Sequence, residues 1–347
     1  MTARPAAPAM PAPATSASVP AAFPADPIGP DPAPTGLDVD PSGPDLVAEY
    51  ATGLATTRVW SAGDGSFWWW QRPGADAAPH RPVPPSSALP EVPDGVRLVV
   101  PRPVGEGLMY RVHGSASAAG WLRDFRPAAR LLVAGALGAA ARGLRALHRD
   151  GTPAAEAGPV PGLRRLRDWA ASDDALRRRA RAFWGPDRTA RLLDWAEQAG
   201  GPAADGVRRP VHGWASLGAL IPPLNRGRTA LLTGPDLGTG RPELDLGWLL
   251  GELAELAWRV PAHPDGGPAP DALALRRILL DAYGPGPDPV LTGRCAVLRI
   301  AVHMQDFARY QGWDEELLEY LAFTADLIDH EGRPTLPPSP GDPHEHP

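Results

Sequence analysis

From Trp121 onward the apolar residues of this chain recur at helical spacing, whereas before it they stand in short aromatic and β-branched runs broken by glycine and proline. This single change of period constrains the fold more than any motif does, because a run patterned for one element cannot bury its apolar side as the other. In the front part, TTRVW and FWWWQRP flank Gly63-Asp64-Gly65-Ser66, which predicts a β-hairpin. A Pro-rich loop over residues 79 to 93 follows, and VRLVVPRPV with LMYRVHG around Gly105 to Gly107 predicts a second hairpin.

In the rear part, FRPAARLLVAGALGAAARGLRALH sets Leu131, Leu132, Leu137, Leu144 and Leu147 near helical spacing and predicts one long buried helix. LRRLRDWAASDDALRRRARAFWG and DRTARLLDWAEQ predict two or three more, with Leu176, Ala180, Phe183 and Trp184 on one stripe. VHGWASLGALIPP to RTALLTGPDL has short apolar runs between Gly and Pro, so small strands and loops are expected there, and with them the chemistry. Asp245 stands before LGWLLGELAELAW as an N-cap, with Leu246, Leu249, Leu250, Leu253 and Leu256 on a buried face. Helices near 271 to 283, 293 to 310 and 314 to 330 complete the chain, which has no internal repeat. A small sheet followed by a larger helical body is an α+β architecture, with a ligand cleft expected between the two parts.

The ends are poor in core-forming residues. Residues 1 to 45 are dominated by Ala and Pro and cannot bury enough surface to offset the entropy of ordering, so a disordered arm is expected. Residues 332 to 347 are expected to form a short disordered tail for the same reason. The 347 residues then leave one domain, from 46 to 331. A formal charge of −6 offers no global attraction to phosphate backbones, which argues against a nucleic-acid partner. The single cysteine, Cys295, cannot form an internal disulfide, and no run reaches the roughly 18 apolar residues of a membrane span. A cytoplasmic protein without a membrane partner is the expectation.

Two motifs lie between Val211 and Leu253. His212-Gly213-Trp214-Ala215-Ser216-Leu217-Gly218-Ala219 and Gly240-Arg241-Pro242-Glu243-Leu244-Asp245-Leu246 resemble the His-Gly-Asp-x-x-x-x-Asn catalytic loop and the Gly-Asp-Pro-x-x-Asp-Leu helix start of the aminoglycoside-phosphotransferase family. WLRD and the helix ending LRALH resemble that family's first large helix, so the resemblance spans most of residues 55 to 330. It implies a two-lobed protein-kinase-like fold, with an N-lobe over about 46 to 115 and a C-lobe over about 116 to 331, and it implies ATP and magnesium as cofactors.

The departures are severe: Trp214 stands in the place of the catalytic aspartate and Ala219 in that of the metal-binding asparagine. At the family's usual spacing the metal aspartate would be Thr233. A loop three residues shorter brings Asp236 to that place, and a carboxylate suits magnesium where threonine does not. His212 and Asp236 are thus the candidate catalytic residues, and Asp236 the candidate metal ligand. Their plainer readings stay open: His212 orients the loop, Asp245 caps and anchors, and Asp236 closes an Asx-type turn over Gly234 to Gly238. Gly63 and Gly65 either cover nucleotide phosphates, as kinase glycine-rich loops do, or form a plain hairpin turn. The sequence contains no lysine, so Arg72, Arg97 or Arg102 would have to replace the nucleotide-binding lysine.

The His-Gly-x-x-Ser-x-Gly loop and the LTGPDL and ELDLGWLLGELAE runs look similar to the kinase-like proteins of class V lanthipeptide and thioamitide biosynthesis. That similarity implies phosphorylation of Ser or Thr in a ribosomal precursor peptide, with a separate lyase partner eliminating phosphate. The lost oxygen donors support a second reading, a catalytically inactive pseudokinase that presents peptide or nucleotide to a partner enzyme. Arg164, Arg165, Arg167, Arg177, Arg178, Arg179 and Arg181 are either a solvated helix face or a docking surface for an acidic partner such as a leader peptide.

Overall fold

The computed structural model describes residues 46–51, 55–74, 89–92, 96–124, 126–152, 158, 160–203, 205–259, 271–312 and 314–338. The arm expected over 1 to 45, most of the Pro-rich loop and residues 339 to 347 lie outside the described residues. The front part holds β1 (Leu46–Ala51), β2 (Ala55–Ser61), β3 (Phe67–Pro73), β4 (Val96–Val99), β5 (Arg102–Val104) and β6 (Gly107–Val112). Five of these form an antiparallel sheet in the order β1-β2-β3-β6-β5. The expected first hairpin is β2–β3, and its register sets Trp69 opposite Val59 and Tyr110. Trp69 is therefore fully buried, while Trp68 and Trp70 point to the other, half-exposed face.

The second expected hairpin is realised only in part. β5 pairs with β6 around the Gly105 turn, but VRLV leaves the hairpin and runs parallel to a distant strand, β9. Pro101 and Pro103 explain the break, since neither can donate to a ladder, and the short apolar run suits a buried parallel strand.

The rear part continues with helices α1 (Ala118–Trp121), α2 (Pro127–Asp150), α3 (Pro161–Ala171) and α4 (Ala175–Gly200). The strands β7 (Arg209–Val211), β8 (Leu220–Ile221), β9 (Thr229–Leu232) and β10 (Gly238–Gly240) follow, and α5 (Glu243–Arg259), α6 (Ala272–Tyr283), α7 (Pro289–Gln311) and α8 (Glu316–Asp329) close the chain. β9 lies between β4 and β8, and β10 pairs with β7. The architecture is α+β, a small N-terminal antiparallel sheet followed by a larger helical part.

α2 buries Val133, Leu137, Leu144 and Leu147, but Leu131 is 75% exposed. Six residues of helical turn carry Leu131 about 120° away from Leu137, off the buried stripe. Phe183 is likewise exposed, unlike Leu176, Ala180 and Trp184; Gly185, at φ 73°, and Pro186 kink α4 just after it. α5 is the central helix, buried on nearly every side. A Cβ on Gly247 would lie 2.3 Å from Cys295 Cβ and one on Gly251 would lie 2.6 Å from the Ala296 carbonyl, so these two glycines let α7 press onto α5. Cys295 is sealed in this crossing, and burial raises its thiol pKa well above the ordinary value.

Residues 332 to 338, expected as the start of a disordered tail, are instead packed on the fold in part. Arg333–Thr335 form a 3-10 turn, Thr335 is fully buried, and Arg276 Nη1 donates to the Pro334 carbonyl at 3.1 Å. Among the described residues, no helix is long and apolar enough to cross a membrane.

Candidate functional site

β7 delivers the chain into the loop 212 to 219, β9 delivers it into the turn 233 to 237, and α5 lies beneath both. Asp245 ties them together. It is the third residue of α5 rather than its N-cap, because the helix begins at Glu243. Its carboxylate accepts the His212 amide at 2.6 Å and the Gly213 amide at 2.8 Å, and His148 Nε2 on α2 donates to it at 2.8 Å. The Tyr283 hydroxyl of α6 meets His148 Nδ1 at 2.8 Å. Burial works against ionising Asp245, but the hydrogen bond and charge of His148, with His212 and its amide, outweigh it and hold the carboxyl below the usual range. Asp245 is an anchored carboxylate that positions the loop: the expected anchoring is found and the expected N-cap is not.

His212 is 2% exposed, and both ring nitrogens meet the backbone. Nε2 donates to the Leu232 carbonyl at 2.9 Å, and Nδ1 accepts the Trp214 amide at 3.4 Å. Burial lowers its pKa despite the nearby Asp245, which favours the neutral ring. The imidazole thus joins the loop to β9. Gly213, at φ 77°, completes the junction: a Cβ there would stand 2.1 Å from the Asp236 carbonyl oxygen, so the loop and the 233 to 237 turn run back to back.

Thr233 is strapped to β4, its hydroxyl donating to the Val99 carbonyl at 2.8 Å. Asp236, half-buried, is the carboxylate of the turn, and its charge together with burial raises the pKa of Tyr110 above it. The residues present do not fit a paired-ligand magnesium site. Ala219 offers no side-chain oxygen, and among the described residues no group of three or more His, Cys, Asp or Glu could hold a metal ion.

Where the resemblance places a catalytic carboxylate, the structure has an indole. Trp214 packs on Trp248 with ring centroids 6.2 Å apart, and the Arg165 guanidinium covers its ring at 5.0 Å. Arg165 in turn meets Asp306 at 3.5 Å. Sequence reasoning missed the polar cluster beside this layer. Glu255 on α5 is hydrogen-bonded by Arg299, by Tyr320 and by His303 Nδ1, the last at 2.5 Å. Burial opposes its ionisation, yet Arg299, His303 and Tyr320 bring it down to about 2. Glu252, which accepts the Leu217 amide at 2.8 Å, and Asp306 are both pushed up by burial. The signal was present as Glu252 and Glu255 three apart on the apolar α5 and Arg299 and His303 four apart on α7.

The front residues do not converge on this centre. Asp64 closes the Gly63–Gly65 turn by accepting the Ser66 amide at 2.9 Å and hydroxyl at 2.6 Å, and Arg111 at 2.5 Å; the Ser66 bonds lead in holding it down at about 2. Arg72 is exposed at the other end of β3, over Trp70 at 5.9 Å. Five strand residues, roughly 17 Å, separate Arg72 from Phe67, too far for Arg72 and the glycines to hold one phosphate. Between the front sheet and β8–β9, where a cleft was expected, Val59, Trp69 and Tyr110 pack against Ile221, Ala230 and Leu232. The basic region also divides: Arg177 is buried with Nε on the Ala170 carbonyl, Arg167 reaches the Ala196 carbonyl, and Arg164, Arg178, Arg179 and Arg181 stay exposed.

No protein-family model matches the chain, and no curated protein matches it significantly. Among solved structures it is similar to the amicoumacin kinase hAmiN, with 13% identity, a TM-score of 0.49, and coverage of 86% of this chain and 91% of that one. It is similar to a choline kinase from Cryptosporidium parvum, with 11% identity, a TM-score of 0.43, and coverage of 84% and 91%. A third is an aminoglycoside phosphotransferase from Streptomyces rimosus, with 16% identity, a TM-score of 0.40, and coverage of 74% and 92%. These are similarities of fold.

Proposed function

We propose that this chain is a kinase-fold component of ribosomal precursor-peptide processing that binds and presents its peptide instead of phosphorylating it. The observation that supports this reading is Trp214, held between Trp248 and the Arg165 guanidinium at the position where a phosphotransferase of this type carries its base. An indole can neither accept the substrate proton nor bind a metal, and its ring takes the room a substrate hydroxyl would need. The four exposed arginines on α3 and α4 suit carboxylates of a leader segment, and a separate lyase partner belongs to the same reading.

A second reading, an active ATP- and magnesium-dependent phosphotransferase acting on Ser or Thr, has Asp236 in its favour, a half-buried carboxylate facing Tyr110 beside the loop. Calorimetric titration of ATP with magnesium into the full chain and into Asp236→Ala separates the two. Metal-dependent binding lost in the variant supports the phosphotransferase and overturns the scaffold; an absence of binding in both leaves the scaffold standing.

A further inference from the structure

The outer face of the front sheet is built of indoles and guanidiniums. The register of β2, β3 and β6 turns Val59, Trp69 and Tyr110 toward the core, and so sets Trp60, Trp68, Trp70 and Met109 on the opposite face. Trp70 reaches across β6: its Nε1 donates to the Val104 carbonyl at 3.1 Å, and a Cβ on Gly107 would stand 2.4 Å from that nitrogen. Arg58 and Arg72 each stand over Trp70 at 5.9 Å, and Arg111 over Trp68 at 5.3 Å. Rings held this way offer a rigid apolar platform. Trp68 and Trp70 are half-buried, whereas Trp60 is 5% exposed and its Nε1 meets no hydrogen-bond partner among the described residues. A buried indole N–H is ordinarily paired, so Trp60 calls for an acceptor.

Leu46, where β1 begins, is the register partner of Trp60, so the arm of residues 1 to 45 enters the fold at the rim of this face. That arm carries Pro24, Pro27 and Pro30 at every third position. A polyproline II helix has about three residues per turn, which puts the three prolines on one ridge and Asp26 and Asp31 on the two ridges flanking it. It makes no internal hydrogen bonds, so its carbonyls are free to accept, and aromatic-lined surfaces recognise such a ridge without its needing a core of its own. The fifteen residues from 31 to 45 reach well beyond the roughly 10 Å, two strand spacings, that separate Leu46 from Trp68. Charge matches as well. The arm holds five aspartates against Arg4 alone, and the face presents the exposed Arg72 and Arg58, the latter paired with Glu49 at 2.8 Å.

We propose that residues Pro24 to Pro30 of this chain's own arm dock as a polyproline II ridge on Trp60, Trp68 and Trp70, with Asp26 and Asp31 toward Arg58 and Arg72. The docked arm covers the front sheet on the side away from β8 and β9. Nothing in this contact depends on what the Trp214 loop binds.

The test is contact quenching of a bimane label by tryptophan in the full chain. Ala33→Cys places the label beside the ridge, and Cys295, sealed between α5 and α7, stays unlabelled. Emission is expected at roughly half or less of that from the same label with Pro24→Ala, Pro27→Ala and Pro30→Ala, because those changes undo the ridge and leave the folded domain untouched. Trp68→Phe with Trp70→Phe should recover much of the difference. Equal emission with and without the three prolines overturns the proposal, as does quenching undiminished in the tryptophan variant. Quenching that fades on dilution assigns the ridge to a neighbouring copy and overturns docking within the chain. If the tryptophan variant does not fold, the proline variant alone decides.

Discussion

The Asp245 carboxylate accepts the Gly213 amide at 2.8 Å from one turn inside α5, so a helix of the core fixes a loop thirty-odd residues upstream. With the His212 amide and His148 on the same carboxylate, Asp245→Ala strands three buried donors. A loss of about 3–5 kcal/mol is expected, measured by urea unfolding of the variant and wild type. Asp245→Asn, which keeps an acceptor, should cost visibly less. Equal stability of Asp245→Ala and wild type would show that the anchor contributes nothing.

Gly213→Ala should destabilise by roughly 2–4 kcal/mol, from the left-handed backbone and from the collision of the new Cβ with the Asp236 carbonyl. The expected reading is a drop in Tm together with a displaced 233 to 237 turn, visible as changed amide shifts at Gly234 and Asp236.

Trp214→Asp restores the residue type that the phosphotransferase motif carries, but it removes the partner of Trp248 and of Arg165. The scaffold reading expects a fall in Tm, by about 2 kcal/mol of stability, with no gain of ATP hydrolysis in magnesium. Turnover appearing in this variant would refute that reading.

Glu255 gives a pH signature. Its folded pKa of about 2 lies below the ordinary glutamate value of 4.5, so its contribution is present above pH 4.5 and is lost as pH falls through that window toward 2. The full contribution is on the order of 3 kcal/mol. Glu255→Gln should therefore be less stable than wild type at neutral pH, with the gap narrowing between pH 4.5 and 2. A gap that stays constant with pH would assign the effect to packing instead of charge.

Much of the architecture was legible in the residues. The β2–β3 hairpin, the long α2 and the strand-and-loop character of 211 to 240 follow from local periodicity and turn chemistry, and local signals survive folding. The parallel pairing of β4 with β9 was not legible, because partners more than a hundred residues apart leave no mark in either run. Leu131 and Phe183 show the same limit: a leucine or phenylalanine near helical spacing reads as buried until the stripe is drawn on the actual helix. At the site, the anchoring by Asp245 was readable from its motif, whereas Glu255 with Arg299 and His303 was hidden, since charged residues on amphipathic helices ordinarily face water.

The β4–β9 ladder and the Thr233 strap to Val99 carry a mechanical consequence. Drawing β4 away from β9 would break backbone hydrogen bonds whose groups have no water to replace them, so the stretch of chain that leads into β5 and the front sheet is riveted at its root to the strands of the rear part.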